Sequence, residues 1–229
     1  RVGDSLGRID SVELYNALNF FKVADPVEII NLSLGGSWSL DQTVQDAMVR
    51  LIADDVLFVI AAGNDGRSID GVGFYPASFN YPAQINVGSA SPITVLDSGV
   101  VTAVTATGAI AKDGFSNFSP QLVHIAAPGR AIHSTTLSNS YVNSSGTSFS
   151  TPMVTGAMAL VKGYLKKAGY VNVSAEILKQ ILLEGSATQA GLTGFVKDQK
   201  YLDLLKLKDA TANFLTTMNS SPIQINLIS

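Results

Sequence analysis

Three short segments carry groups suited to binding a peptide and stabilising negative charge on one of its carbonyl groups. Ser148 lies in the string Gly-Thr-Ser-Phe-Ser-Thr-Pro at the start of a predicted helix, where backbone N–H groups and the helix dipole favour negative charge. Asn64 follows an apolar run, and its amide can donate to an oxyanion. Gly35 and Gly36 follow a second apolar run and let a peptide backbone come close.

Each segment also has an ordinary explanation. A serine at a helix start is usually an N-cap, and a Gly-Gly pair after a strand is usually a turn. An asparagine before Asp65 is usually turn chemistry as well. Singly, the ordinary explanations are favoured, so the functional hypothesis depends on the three segments meeting at one place.

The segments that precede Gly35 and Asn64 predict a parallel βαβ unit. Residues 27–34 and 56–62 form two apolar runs, and the second is uninterrupted, which is typical of a strand covered on both faces. A helix beginning after Ser39 is predicted between them. The residues that share its apolar face are Val44, Ala47, Met48, Leu51 and Ile52.

Other elements follow from the same patterns. Asp10 begins a capping-box-like sequence that predicts a helix closed by Pro26. Residues 85–89 predict a strand, and residues 93–111 predict a β-hairpin with a turn at Asp97.

Three further elements are predicted towards the C-terminus. A helix after Gly146 is apolar or small on most faces, which predicts a buried helix with Pro152 in its first turn. Another helix runs from Ser174 to Gly185. Residues 201–214 predict a short strand or helix.

Composition narrows the class of protein. The 229 residues suit one α/β domain, and a net charge of −3 without a Lys/Arg run argues against nucleic acid as a partner. The absence of cysteine excludes disulfides and thiolate metal sites. No apolar run approaches the roughly 18 residues of a membrane span, and the first residues do not form a signal peptide.

The strings Ser-Leu-Gly-Gly (33–36), Ala-Ala-Gly-Asn (61–64) and Gly-Thr-Ser-Phe-Ser-Thr-Pro (146–152), in this order, resemble segments of the subtilisin-like serine proteases. Residues 75–77, 115–120 and 127–129 extend the resemblance. It implies an α/β, three-layer fold with a mainly parallel twisted sheet flanked by helices. It further implies that residues 1–229 are the C-terminal part of a single catalytic domain, incomplete at its N-terminal side.

The resemblance also implies residue roles. Ser148 would be the acyl-forming nucleophile of a serine endopeptidase, and Asn64 the oxyanion donor beside the Ser148 backbone N–H. Peptide substrates would bind along Ser33, Leu34 and Gly35. A roomy apolar pocket for a large hydrophobic side chain would be lined by Gly36, Ala61, Ala62 and Gly63.

A serine nucleophile needs a base, normally a histidine oriented by a carboxylate. The family carries both upstream of its Ser-Leu-Gly-Gly strand, and no His-Gly-Thr-His string occurs here. The two histidines, His124 and His133, fall where the family has structural residues. Asp97 imitates the family's Asp-Ser-Gly motif but follows Asn64, in the wrong order, so it is interpreted as a turn residue.

Two functions therefore remain open. The first is an endopeptidase whose acid–base pair lies on an upstream piece of the same protease, with a pro-domain as a further partner. The second is a non-catalytic, peptide-binding protein that keeps the protease scaffold. The resemblance further implies secretion. It implies no cofactor for the chemistry and no metal at the catalytic residues. A weak structural calcium could bind in the loop from Phe74 to Tyr81.

Overall fold

A computed structural model of the protein describes residues 9–23, 27–37, 42–92 and 109–220. The helices in these ranges are α1 (Ser11–Val23), α2 (Gln42–Ala53), α3 (Thr147–Lys167), α4 (Ala175–Glu184) and α5 (Leu204–Ser220). The strands are β1 (Ile29–Leu32), β2 (Leu57–Ala61), β3 (Gln84–Pro92), β4 (Ile110–Lys112), β5 (Ile125–Ala127), β6 (Ile132–Thr136), β7 (Ser140–Ser144), β8 (Ala187–Thr188) and β9 (Lys200–Tyr201).

The sheet is mainly parallel, as predicted. Its strands follow the order β1-β2-β3-β5-β9-β8, and the pairs from β1 to β9 along this path are parallel. Strands β1 and β2 are connected through α2 and pair in register from Ile29 with Leu57. The predicted βαβ unit is therefore confirmed, and the carboxyl ends of β1 and β2 lie side by side.

Strand β2 shows how the two faces of the sheet are covered. All of its residues are buried, and alternate side chains point to opposite faces. Phe58 and Ile60 pack in a core that contains residues of α1 and α2. Leu57 and Val59 pack in a second core with residues of α3 and α4. Helices on both faces of one sheet give the three layers that the sequence predicted.

Helix α1 begins where the sequence predicts. The Val12 N–H donates to Asp10 Oδ1 at 2.7 Å, and the Leu14 N–H donates to the Asp10 carbonyl at 3.1 Å. Asp10 is thus the N-cap. Leu14 and Leu18 are buried against α2.

Helix α3 differs from its prediction in two ways. It buries only one face, as the exposure of Leu160 (72%) and Tyr164 (56%) shows. The prediction of a helix buried on most faces was therefore wrong. Pro152 is the sixth residue of the helix, not part of the first turn. A proline in that position leaves the carbonyl of Ser148 without its helical N–H partner.

The remaining elements largely follow the predictions. Helix α4 has Ser174 as its N-cap, with Oγ accepting from the Ile177 N–H at 3.2 Å. Residues 200–220 form β9 and then α5. Of the predicted hairpin, β4 runs antiparallel to the end of β3, whereas Asp97 and its turn lie outside the described residues, as do Pro26 and Ser39.

None of the helices in the described ranges combines the length and the apolar character needed to cross a lipid bilayer.

Candidate active site

The carboxyl ends of β1 and β2 and the first turn of α3 enclose a cleft of about 310 Å³. Ligands bind at such strand ends in open parallel sheets because the loops there diverge. The lining residues are Ile9, Ser33, Leu34, Gly35, Ala61, Gly63, Asn64, Asp65, Phe74, Thr147 and Ser148. The structure thus brings together seven of the nine predicted site residues, although the three segments are far apart in sequence.

Ser148 is tied to the end of β1 by two hydrogen bonds. Its Oγ donates to the Ser33 carbonyl at 3.2 Å, and Ser33 Oγ donates to the Ser148 carbonyl at 2.9 Å. The second bond satisfies the carbonyl that Pro152 leaves without a partner. The proline therefore frees an acceptor that fixes the segment around Ser148 against the end of β1.

The Asn64 amide is held in one orientation by Thr147. Asn64 Oδ1 accepts from the Thr147 N–H at 2.8 Å and from its Oγ1–H at 3.0 Å. Thr147 Oγ1 in turn accepts from the Gly63 N–H at 3.2 Å. Because the carbonyl end of the amide points at Thr147, its Nδ2 end is presented as a donor. Sequence reasoning did not single out Thr147 for this role.

The loop that carries Asn64 is organised by a buried amide from a distant segment. Asn117 is fully buried, and its Nδ2 donates to the Ala62 carbonyl at 3.0 Å. Its Oδ1 accepts from the backbone N–H groups of Asp65 at 2.9 Å and Arg67 at 3.3 Å. Asn117 is a positioning residue that the sequence showed only as part of a motif string.

Phe74 makes the cleft narrower than the glycines and alanines around it indicate. A Cβ on Gly35 would lie 2.4 Å from the Phe74 ring, and a Cβ on Gly63 would also lie 2.4 Å from it. The ring therefore requires glycine at position 35. At position 63 the ring, Asn117 Nδ2 at 2.3 Å and a φ of +101° all require it. The Phe74 ring is thus one wall of the cleft, and the roomy pocket for a large hydrophobic side chain stays a prediction.

Gly36 and Ala62 do not line the cleft. The backbone of Gly36 is already paired, donating to the Tyr75 carbonyl at 3.0 Å and accepting from the Tyr75 N–H at 2.8 Å. Ala62 is fully buried, and its N–H donates to the Val87 carbonyl at 3.0 Å. The two residues support the walls of the cleft instead of touching its contents.

Neither histidine reaches Ser148. His124 is buried, its Nδ1 accepts from the Asn86 N–H at 3.0 Å, and burial lowers its pKa to about 3. His133 lies on β6, stacked on Tyr141 with ring centroids 5.6 Å apart. Neither lines the cleft.

The loop predicted to hold a weak calcium uses its carbonyl groups internally. The Phe74 carbonyl accepts from the Ser78 N–H at 2.8 Å. Gln84 Nε2 donates to the carbonyls of Pro76 at 3.3 Å and Ala77 at 3.0 Å. Each of these oxygens keeps a second lone pair, so the weak calcium in this loop stays a prediction. Within the ranges that the structure covers, no cluster of three or more His, Asp or Glu side chains could hold a metal.

Known proteases are similar to this chain in sequence. The chain is 33% identical over 146 residues to an "Extracellular protease" of Xanthomonas campestris pv. campestris, covering 61% of this chain and 22% of that protein. It is 31% identical over 191 residues to the "Major intracellular serine protease" of Bacillus subtilis (strain 168), covering 80% of this chain and 53% of that protein. The chain thus spans about half or less of the length of these relatives.

The fold is also that of solved structures. A cold-adapted subtilisin-like serine proteinase superposes with a TM-score of 0.66 at 25% identity, covering 88% of this chain and 64% of the other. A model of the Subtilase family matches residues 4–204. With its predicted motifs gathered at one cleft of a subtilisin-like fold, the chain belongs to the subtilase family.

Proposed function

We propose that this chain carries the nucleophile, the oxyanion donor and the substrate cleft of a serine endopeptidase. The observation that supports it most directly is that Ser148 and Asn64 line the same cleft. Thr147 holds the Asn64 amide by its oxygen, so that its Nδ2 is presented as a donor. The whole arrangement matches the chemistry of acyl transfer.

The residues of the cleft act at distinct steps of this reaction. A base takes the proton from Ser148 Oγ as that oxygen bonds to the substrate carbonyl carbon. The carbonyl oxygen becomes an oxyanion, which accepts from Asn64 Nδ2 and from the Ser148 N–H in the first turn of α3. The C–N bond then breaks, the proton passes to the leaving amine, and water hydrolyses the acyl-enzyme.

The base comes from outside this chain. The sequence contains two histidines, and both are used elsewhere, His124 in the interior and His133 on a surface hairpin. Ser148 Oγ meanwhile donates to a backbone carbonyl instead of a base. We assign the histidine and its orienting carboxylate to an upstream segment of the same protease.

Strand β1 and the adjacent side of α3 are where such a segment would dock. Among the described strands, β1 is at the edge of the sheet, and an apolar edge strand is a template for another strand. Thr155 of α3 lies beside it, with Oγ1 donating to Asn31 Oδ1 at 2.8 Å. Gly156 is exposed, and a Cβ there would meet nothing within 4 Å. A glycine inside a helix costs roughly 1 kcal/mol relative to alanine, which a closely packed partner would offset.

The cleft favours a small side chain before the scissile bond. The Phe74 ring lies against both Gly35 and Gly63 and lines the cleft, so we infer that it limits the depth open to a substrate side chain. This proposal differs from the large hydrophobic preference that the glycine and alanine positions predicted, and the Phe74→Ala variant distinguishes the two.

Hydrolysis of a casein substrate tests the activity. The protein produced together with its upstream segment should cleave casein, and the Ser148→Ala variant should not. Cleavage that survives in the variant would show that another group is the nucleophile.

The cellular compartment in which the protein acts is a separate prediction from its activity. The relatives include one extracellular and one intracellular protease, so secretion stays a prediction. Recovery of the protein from the culture medium of intact cells tests it.

A further inference from the structure

His124 has a fixed tautomer. The Asn86 N–H donates to its Nδ1 at 3.0 Å, so Nδ1 must carry a lone pair. Burial keeps the ring neutral, and a neutral imidazole with a bare Nδ1 has its hydrogen on Nε2. His124 therefore donates, and does not accept, at Nε2.

The partner of that Nε2–H is Lys179. Its Nζ lies 3.0 Å from His124 Nε2. An ammonium group has three donors and no acceptor, so it would face the Nε2–H donor to donor. A neutral amine has a lone pair that accepts this hydrogen, and the contact thus stabilises the unprotonated form of Lys179.

The charges around Lys179 act in the same direction. Burial and the neighbouring Lys197 lower the pKa of Lys179 to about 8, against a smaller opposing effect of Glu176. Near pH 7 roughly a tenth of such a lysine is neutral, compared with about one part in 2,500 for an ordinary lysine. Lys179 is thus both more often neutral than an exposed lysine and held by a hydrogen bond that suits the neutral form.

Lys179 lines a surface pocket of about 430 Å³ that shares no residue with the cleft. Pro82 and Leu183 supply apolar surface. The remaining lining includes the acidic Glu176 and Glu184 and the basic Lys200. With Lys197 near Lys179, two acidic and two basic groups surround the amine, which favours an uncharged ligand over an ionic one.

We propose that Lys179 is a nucleophilic amine and that its pocket takes small uncharged aldehydes, which condense with Nζ. The hydrogen bond from His124 Nε2–H breaks as the amine turns about its Cε–Nζ bond, and the freed Nζ lone pair attacks the aldehyde carbon to form an N–C bond. The carbonyl oxygen then leaves as water with the two hydrogens of the amine, which gives an imine. The site is independent of Ser148 and of the proposed peptidase reaction.

Reductive labelling of the folded chain tests the proposal. Benzaldehyde at limiting concentration is added at pH 7 with cyanoborohydride, which reduces the imine to a stable benzylamine, and the modified lysines are mapped by mass spectrometry. Lys179 should be labelled on the order of 100-fold faster than Lys208, which is well exposed. Labelling of Lys179 no faster than Lys208 would overturn the proposal.

Two variants and one spectroscopic measurement complete the test. Lys179→Arg should abolish the fast labelling, whereas Lys208→Arg should leave it unchanged. Nitrogen NMR of His124 should show a protonated Nε2 and a bare Nδ1 from pH 5 to 8. A hydrogen on Nδ1 would contradict the tautomer on which the proposal rests.

Discussion

Asn64 uses the two ends of its amide differently, and this division can be tested by substitution. Oδ1 accepts from Thr147, which leaves Nδ2 as the donor of the proposed oxyanion site. In the complete protease, Asn64→Leu should lower kcat by about 10²–10³, the range known for removal of this donor in subtilisin itself, with little change in KM. Steady-state kinetics on a peptide substrate measures both constants.

Thr147→Val separates orientation from donation in the same assay. It removes the Oγ1–H that holds Asn64 but leaves Nδ2 in place, so the loss in kcat should be smaller, about 10-fold. Thr151→Val is the matched control, because Thr151 Oγ1 donates to the Thr147 carbonyl at 2.7 Å and not to Asn64. An equal loss in the two variants would contradict the orienting role.

The position of the Phe74 ring predicts which substrate side chains the cleft prefers. Phe74→Ala should open the space between Gly35 and Gly63 and shift the preferred residue before the scissile bond from alanine to leucine or phenylalanine. The ratio of kcat/KM for the two peptides should change by about 10-fold or more. An unchanged ratio would show that the ring does not limit the pocket.

The lowered pKa of His124 predicts how the free energy of unfolding responds to acid. Its pKa is about 3 in the folded chain and about 6.5 in an unfolded one, so the unfolded state binds more protons between these values. Stability therefore falls as the pH drops from 6.5 towards 3, by on the order of 5 kcal/mol in total. Urea unfolding at several pH values measures the slope.

The His124→Asn variant is the control for this slope. Its Oδ1 can accept the Asn86 N–H, and its side chain does not titrate in this range. Its unfolding free energy should depend less on pH than that of the parent chain. Equal slopes would assign the acid sensitivity to other groups.

At the scale of elements, Pro152 and Ser33 connect α3 to β1. Ser33→Ala removes the donor to the Ser148 carbonyl and should cost about 1 kcal/mol of unfolding free energy. Pro152→Ala restores a backbone N–H at the position that normally reaches this carbonyl. The double variant should therefore be more stable than the sum of the two single effects predicts, which a double-mutant cycle measures.

Periodicity predicted the elements better than the contacts between them. The apolar run of β2 indicated burial on both faces, and the helix-strand order indicated a parallel sheet. The exposed face of α3 was missed because Gly156, Ala159 and Gly163 are small residues that fit a buried or a solvent-facing helix equally well. Phe74 was missed because a loop that returns between two strand ends leaves no periodic pattern.

The site itself depends on pairs that are distant in the chain. Asn64 and Thr147 are 83 positions apart, and Ser33 and Ser148 are 115 apart. The motif strings gave the residue types, and the family resemblance gave their roles. Only the folded chain shows that Thr147 orients Asn64 and that Pro152 frees the Ser148 carbonyl for Ser33.

At the scale of the whole molecule, the open side of α3 predicts a partner. Gly156→Leu should leave the isolated chain folded and stabilise it by up to ~1 kcal/mol, because the added side chain meets open space. It should also weaken association with the upstream segment, measured by co-purification. Ala212→Leu, on the exposed side of α5, is the matched control and should leave association unchanged.

In the proposed function the nucleophile and the oxyanion donor lie on this chain, and the base lies on an upstream segment. Labelling of Ser148 by a fluorophosphonate tests it most directly, because capture requires an activated hydroxyl. The folded chain alone should show no labelling above the Ser148→Ala variant, and the chain with its upstream segment should be labelled at Ser148. Rapid labelling of Ser148 in the chain alone would contradict this account, as would none in the complete protein.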